Sequence, residues 1–225
     1  MSSYLIIGDT HAPTMLPLYV DFLKQIQRKY KIKQNHVIHI GDLVDLHCLS
    51  FHKKTPEHVA ADFEYKKALK QIKTITKAFP KCQMLMGNHD ALPMRLAIEI
   101  GLPTNYLKNF NDVFELPKGW KVWPRYHQLI IDNVIYQHGD RGRNSAILNA
   151  KSEFRPVCQG HHHSKAGVEF FANAKERIWS LQCGCGVDHS TAEMSYSMKY
   201  SQKPIIGCGV VTNNGETPIF EPMLL

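Results

Sequence analysis

The chain has 225 residues, enough for one well-buried domain. Its 44% hydrophobic and 21% charged residues exclude a disordered chain, and no apolar run is long enough for a membrane-spanning helix. A net charge of +7, with pI near 9.0, favours an anionic partner such as a nucleotide, nucleic acid or phosphoprotein, although the basic residues are spread over predicted helix faces.

No linker, repeat or low-complexity tract divides the chain, so a single domain over residues 1–225 is expected. The segment from Met1 to Asp9 carries no basic region and reaches a carboxylate early, which predicts a cytoplasmic protein. The six cysteines are scattered, with no C-x-x-C pair. Cys183-Gly184-Cys185 reads as small residues in a packed strand rather than a soft-metal site.

In chain order, Tyr4 to Ile7 is a predicted strand ending in Gly8-Asp9-Thr10-His11. A carboxylate and an imidazole two residues apart suit a divalent metal of intermediate hardness. A helix follows from near Pro17, with Tyr19, Phe22, Leu23, Ile26 and Tyr30 as its buried stripe. His36 to Ile40 is the second strand, ending in Gly41-Asp42-Leu43-Val44-Asp45. Asp45 is a further ligand, a helix cap or a brace for a nearby His. Residues 46–58 form an irregular connection carrying His47, His52, Lys53, Lys54 and His58, the kind of loop that contacts substrate. Val59 to Phe79 is a long amphipathic helix stopped by Pro80, and Cys82 to Met86 is the third strand, ending in Gly87-Asn88-His89-Asp90.

The opening therefore reads β-α-β-α-β, a parallel arrangement with right-handed crossovers. Ala91 to Ile100 is a short helix, and 102–119 is irregular. Strands follow at Trp120 to Trp123, Gln128 to Ile131 and Val134 to Gln137, with Asp132-Asn133 as a hairpin turn. The last of these runs into His138-Gly139-Asp140, with Arg141 and Arg143 just beyond. Those two arginines hold phosphate oxygens or pair with surface carboxylates. A helix spans about Asn144 to Glu153, and Pro156 to Gln159 is a strand leading to Gly160-His161-His162-His163. His161 and His163 are expected to project one way and His162 the other. The remaining strands, near 168–172, 177–183, 205–211 and 218–221, are expected to form an antiparallel second sheet.

The candidates Asp9, His11, Asp42, Asn88, His89, His138, His161 and His163 are too many for one four-coordinate zinc ion. They suit two metals sharing a carboxylate, about 3.5–4 Å apart, the arrangement used for in-line attack on phosphorus.

Five blocks in order, Asp9-x-His11, Gly41-Asp42-x-x-Asp45, Gly87-Asn88-His89-Asp90, His138 and Gly160-His161-x-His163, resemble the calcineurin-like metallophosphoesterase superfamily. The resemblance implies an α/β fold, a four-layer α-β-β-α sandwich of two mixed sheets flanked by helices. It implies that Asp9, His11, Asp42 and His163 hold one metal, and that Asp42, Asn88, His138 and His161 hold a second, with Asp42 bridging. A hydroxide held between the two ions would be the nucleophile. His89 would be the general acid, oriented by Asp90 through its other ring nitrogen. The ions would be manganese first, with iron, zinc, cobalt or nickel as alternatives.

Two departures bear on substrate. Protein phosphatases of the superfamily have Asp-Arg-Gly after the second block, where this chain has Asp45-Leu46-His47, and Glu where it has Asp90. Both lean toward the phosphodiesterase and nuclease-like branch, among small phage-type and bacterial members. The expected function is hydrolysis of a phosphodiester in a nucleotide or nucleic acid, with Arg141, Arg143 and His47 as substrate-binding candidates. A phosphomonoesterase, including a protein phosphatase, is the alternative. A non-catalytic binding module ranks third, because every ligand position is filled.

Overall fold

The computed structural model describes residues 1–51, 60–191 and 201–224. The opening follows the sequence reading closely. Strand β1 (Tyr4–Ile7), helix α1 (Tyr19–Lys29), β2 (Val37–His39), α2 (Ala61–Ala78) and β3 (Cys82–Leu85) form the parallel β-α-β-α-β unit. Helix α1 starts two residues past Pro17. After α3 (Leu92–Glu99), the stretch expected to be irregular contains a short helix α4 (Phe110–Val113). Then come β4 (Trp120–Trp123), β5 (Leu129–Ile131), β6 (Val134–Gln137), α5 (Ala146–Glu153) and β7 (Val157–Gln159). The chain closes with β8 (Ala166–Ala172), β9 (Arg177–Cys183), β10 (Gly207–Thr212) and β11 (Thr217–Pro222). Asp132 and Asn133, at φ +50° and +62°, make the tight β5–β6 turn that their positions predict.

Two mixed sheets result, ordered β11-β10-β1-β2-β3-β4 and β5-β6-β7-β9-β8. The last four strands do not form one antiparallel sheet. The β8–β9 hairpin joins the second sheet, with β9 parallel to β7, whereas β10 and β11 add antiparallel strands beside β1 in the first. Period-2 alternation explains both attachments. Val210 faces the helices while Val211 faces the other sheet, as Leu5 and Ile6 do on β1.

Three buried clusters define four layers. Tyr19, Leu23 and Ile26 of α1 and Ala68, Ile72 and Ile75 of α2 cover one face of the first sheet. Ile6, Ile38, Ile40 and Leu85 of the first sheet meet Val134, Tyr136, Cys158, Trp179 and Leu181 of the second. Ala150 of α5 covers Ile135, Val157 and Ile178 on the far side. Each fully buried aliphatic chain in these clusters contributes about 1.5–3 kcal/mol. Cys183 and Cys185 are buried and unpaired, packed in the strand region as expected. Among the described residues no helix is long and apolar enough to cross a membrane.

Candidate metal centre

The carboxyl ends of β1, β2 and β3 lie side by side in one sheet, and those of β6 and β7 in the other. Each delivers polar residues to the same rim. Asp9 and His11 follow β1, Asp42 follows β2, Asn88 and His89 follow β3, His138 follows β6, and His161 and His163 follow β7. The glycines of two blocks make room for a carboxylate from another strand. A Cβ on Gly87 would collide with the Asp42 carboxylate, and one on Gly160 with that of Asp9. His11, Asp42 and His161 sit at φ +44°, +49° and +67°. Asp and His tolerate this left-handed region better than most residues, yet it still stores strain of about 1–3 kcal/mol at each.

The side chains converge in overlapping groups. Asp9, His11 and His163 form one and Asp42, His138 and His161 another, each with its ligand atoms within 4.8 Å of one another. His11, Asp42 and His89 make a third that links them. Asp42 Oδ2 lies 3.5 Å from His11 Nε2 and 3.3 Å from His138 Nε2, so this carboxylate stands between the two sides. Asn88 Oδ1 is 3.1 Å from His138 Nε2 on the second side, and His163 Nε2 is 3.0 Å from Asp9 Oδ2 on the first. The expectation that His161 and His163 project the same way is too simple. With His161 left-handed, the 160–163 segment is not extended, and the two rings serve different groups.

These donors fit divalent metal. Asp9 Oδ1 and His11 Nε2 are buried without a hydrogen-bond partner, a cost of about 1–3 kcal/mol each unless a cation takes them. His11 Nδ1 is fixed 2.8 Å from Asp45 Oδ1, and His138 Nδ1 is 3.1 Å from the Ile40 carbonyl, which leaves Nε2 of each ring facing the centre. Burial raises the Asp42 pKa, but the charges of His138 and His89 more than reverse this and hold it well below the carboxylate range. Burial pushes His138 down, and the Asp42 carboxylate drives it back up to about 10. A ligating imidazole is neutral, so a divalent ion would stand in place of that proton.

His89 lies beside the ligand groups, edge-on to the His11 ring at 4.6 Å. Its Nδ1 is 2.7 Å from the Asp45 carbonyl and 3.2 Å from Asp45 Oδ1. Burial lowers its pKa, and the Asp42 and Asp45 carboxylates raise it to about 10. The brace behind the rings is therefore Asp45, holding both His11 and His89, one of the roles its position in the second block suggested. Asp90 does not orient His89 as expected. Its carboxylate turns away and accepts the backbone N–H groups of Val44 (3.1 Å) and Gly87 (2.9 Å), tying the second block to the third. Burial and the nearby Asp42 charge push the Asp90 carboxyl up to about 7.

The substrate-binding candidates fall differently. His47 is buried, with its backbone N–H donated to Glu64 Oε1 at 2.6 Å and its Nδ1 4.0 Å from Asp45 Oδ2. Arg141 and Arg143 are exposed and line a cavity of about 270 Å³ with Gln128, Gln137, Asn149 and Glu153, whose lining includes none of the candidate metal ligands. His52, Lys53, Lys54 and His58 lie outside the described residues.

Sequence reading missed three supports. Arg95, in the middle of α3, reaches the Asn88 carbonyl at 3.4 Å and lies over the Phe51 ring at 5.1 Å, a cation beside the ligand loop. Nothing in the third block itself marked this residue, which lies in the helix after it. Glu64 is buried and accepts the N–H groups of His47 and Cys48, fixing the turn after Asp45. The segment 184–187 packs along the first block, where Gly186 N–H donates to the Asp9 carbonyl at 2.8 Å. Nothing local in the sequence announces that pairing.

Against known proteins, residues 2–195 match the family described as calcineurin-like phosphoesterase. No curated protein matches the chain.

Proposed function

The chain belongs to the calcineurin-like phosphoesterase family and is a metal-dependent phosphoester hydrolase; from that premise we propose that it uses two divalent ions and cleaves a phosphodiester, in a nucleotide or nucleic acid. The observation that carries the two-ion reading is the placement of Asp42 Oδ2 between His11 Nε2 and His138 Nε2. Asp9, His11, Asp42 and His163 would hold one ion, and Asp42, Asn88, His138 and His161 the other. The mixed carboxylate, amide and imidazole set suits manganese first, with iron, zinc, cobalt or nickel as alternatives. Such ions supply Lewis acidity, acidifying a water and neutralising charge on the phosphoryl oxygens.

The chain's own residues do the rest. Asp45 fixes the ring orientation of His11 and His89 from behind. His89 is then held to donate a proton to the leaving oxygen, with its Nδ1 side anchored. Asp90 serves this site through the backbone of Val44 and Gly87 rather than through the proton.

The diester preference rests on charge. A monoester is largely dianionic near neutral pH and calls for a cation beyond the ions. Leu46, where related protein phosphatases have Arg, packs against the helix-side core and supplies none. The net charge of +7 suits a nucleotide or nucleic-acid substrate. A charged hydrogen bond to phosphate is worth about 1.5–3 kcal/mol. With Mn²⁺ supplied, kcat/KM for bis(p-nitrophenyl) phosphate is therefore expected to exceed that for p-nitrophenyl phosphate by about tenfold or more.

Arg95 favours the second reading, a phosphomonoesterase, because its guanidinium reaches the Asn88 loop. If the monoester is the better substrate and Arg95→Ala abolishes that preference, the monoesterase reading replaces the diesterase one. The same result with Arg141→Ala or Arg143→Ala would assign the cation to those residues instead.

A further inference from the structure

Strands β6, β7 and β9 run parallel and adjacent, and their register sets Gln137 opposite Gln159, and Gln159 opposite Gln182. Period 2 puts the three amides on the α5 side of the sheet, in line with Ile135, Val157 and Ile178. All three are buried, at 6%, 0% and 6% exposure. They form a one-directional ladder. Gln128 Nε2 donates to Gln137 Oε1 (3.2 Å), Gln137 Nε2 to Gln159 Oε1 (3.1 Å), and Gln159 Nε2 to Gln182 Oε1 (3.2 Å). Asn149 of α5 adds a second donor to Gln159 Oε1 at 2.9 Å. The order is self-consistent, since turning any inner amide over would break the bonds on both its sides.

The ladder ends at the metal centre. Gln182 Nε2 donates to the carbonyl of Gly160. That carbonyl also accepts the N–H of His162 at 2.8 Å, closing a three-residue turn around His161 at φ +67°. A γ-turn of this hand is rare and strained, and it persists only where its surroundings hold it. The same turn aims the His161 N–H at Asp9 Oδ2, 2.9 Å away, while the Gly160 N–H donates to the His138 carbonyl at 2.9 Å. Two successive peptide units, 159–160 and 160–161, thus join the backbone of two candidate ligands of the second ion and hand a donor to a ligand of the first. A buried amide left unpaired costs about 1–3 kcal/mol, so an apolar strand face would have been the simpler way to cover α5.

We propose that Gln182 is a positioning residue for the metal centre: its amide, held in the glutamine ladder, fixes the Gly160 carbonyl and with it the strained turn that presents His161. This rests on the two-ion reading above. It acts through the protein backbone and touches neither substrate nor ion.

The test is titration of Mn²⁺ into the chelator-treated full chain by calorimetry, beside thermal unfolding of the metal-free chain. Gln182→Met is expected to weaken one of two ion sites by about 10–100-fold, the range for residues that orient ligands, and the other site by less. Gln137→Met removes an equally buried amide from the same ladder but spares the contact to Gly160. It is expected to lower the unfolding midpoint comparably and leave ion affinity near that of the parent. Equal affinity losses in the two variants would overturn the proposal, and so would unchanged binding in Gln182→Met. If Gln182→Met does not fold, Gln182→Asn, which keeps the amide but falls short of Gly160, carries the same expectations. His161→Ala separates the two levels. Loss of one ion there with none in the Gln182 variants defeats this inference alone, two ions held as tightly in His161→Ala as in the parent remove His161 from the ligands, and a single ion bound by the parent chain defeats the two-ion reading itself.

Discussion

Asp42→Asn is expected to weaken both ion sites by more than about 100-fold and to abolish measurable hydrolysis at ordinary metal concentrations. Residues that only orient ligands are worth about 10–100-fold, and Asp42 is proposed as a ligand to both ions. Its Oδ1 accepts the His89 N–H at 2.8 Å, and its Oδ2 faces His11 and His138 Nε2. An Asn would keep its oxygen on the His89 N–H, turning its NH₂ toward the two imidazoles. That exchanges a buried negative charge for the positive end of an amide dipole where two cations are to bind. His11→Ala, by contrast, empties a position on one side only and is expected to spare the Asn88, His138 and His161 side. Calorimetric titration of both variants measures this. Two ions held tightly in Asp42→Asn would show that the shared carboxylate has been wrongly assigned.

His89→Ala is expected to leave ion binding intact and slow turnover by about 10²–10⁴-fold, the usual worth of a positioned proton donor. The ring is anchored from Asp45 at Nδ1. Its position beside His11, outside the two terminal ligand groups, suits a group that works on the leaving oxygen. The loss should depend on what leaves. A nitrophenolate needs little protonation, so bis(p-nitrophenyl) phosphate should show the smaller deficit. An alkoxide, such as the 5′ oxygen of a nucleotide, needs a full proton and should show the larger. Parallel kcat values for the two substrate types give the comparison, and an equal deficit for both would remove His89 from the acid role.

Much of this centre was legible because its residues sit where sequence is most informative, at ends of apolar strands marked by Gly. Asp9, His11, Asp42, Asn88, His138, His161 and His163 each follow such an end, and the fold brings all of them to one rim. What local sequence could not show was which way neighbouring side chains turn. Asp90 stands next to His89 in the chain, yet the two diverge, and the more distant Asp45 reaches the ring because its loop passes behind it. Non-local pairing was equally hidden. The β10–β11 hairpin joins the first sheet because Val210 and Val211 bury against both layers, a fact set by tertiary packing. Gln137, Gln159 and Gln182 read as ordinary strand polar residues until the register aligns them. Arg141 and Arg143 show the converse. Proximity in sequence to His138 suggested a phosphate clamp or surface ion pairs, and the two line a cavity whose lining includes none of the ligand residues, while Arg95 comes to Asn88 from a helix.

The proposed centre stands or falls on the number of ions it binds. Chelator-treated chain saturated with Mn²⁺, freed of loose metal and analysed for bound manganese, should carry two ions per chain, with hydrolysis of bis(p-nitrophenyl) phosphate rising only as the second is taken up. One ion at saturation, or full activity with one, would contradict it.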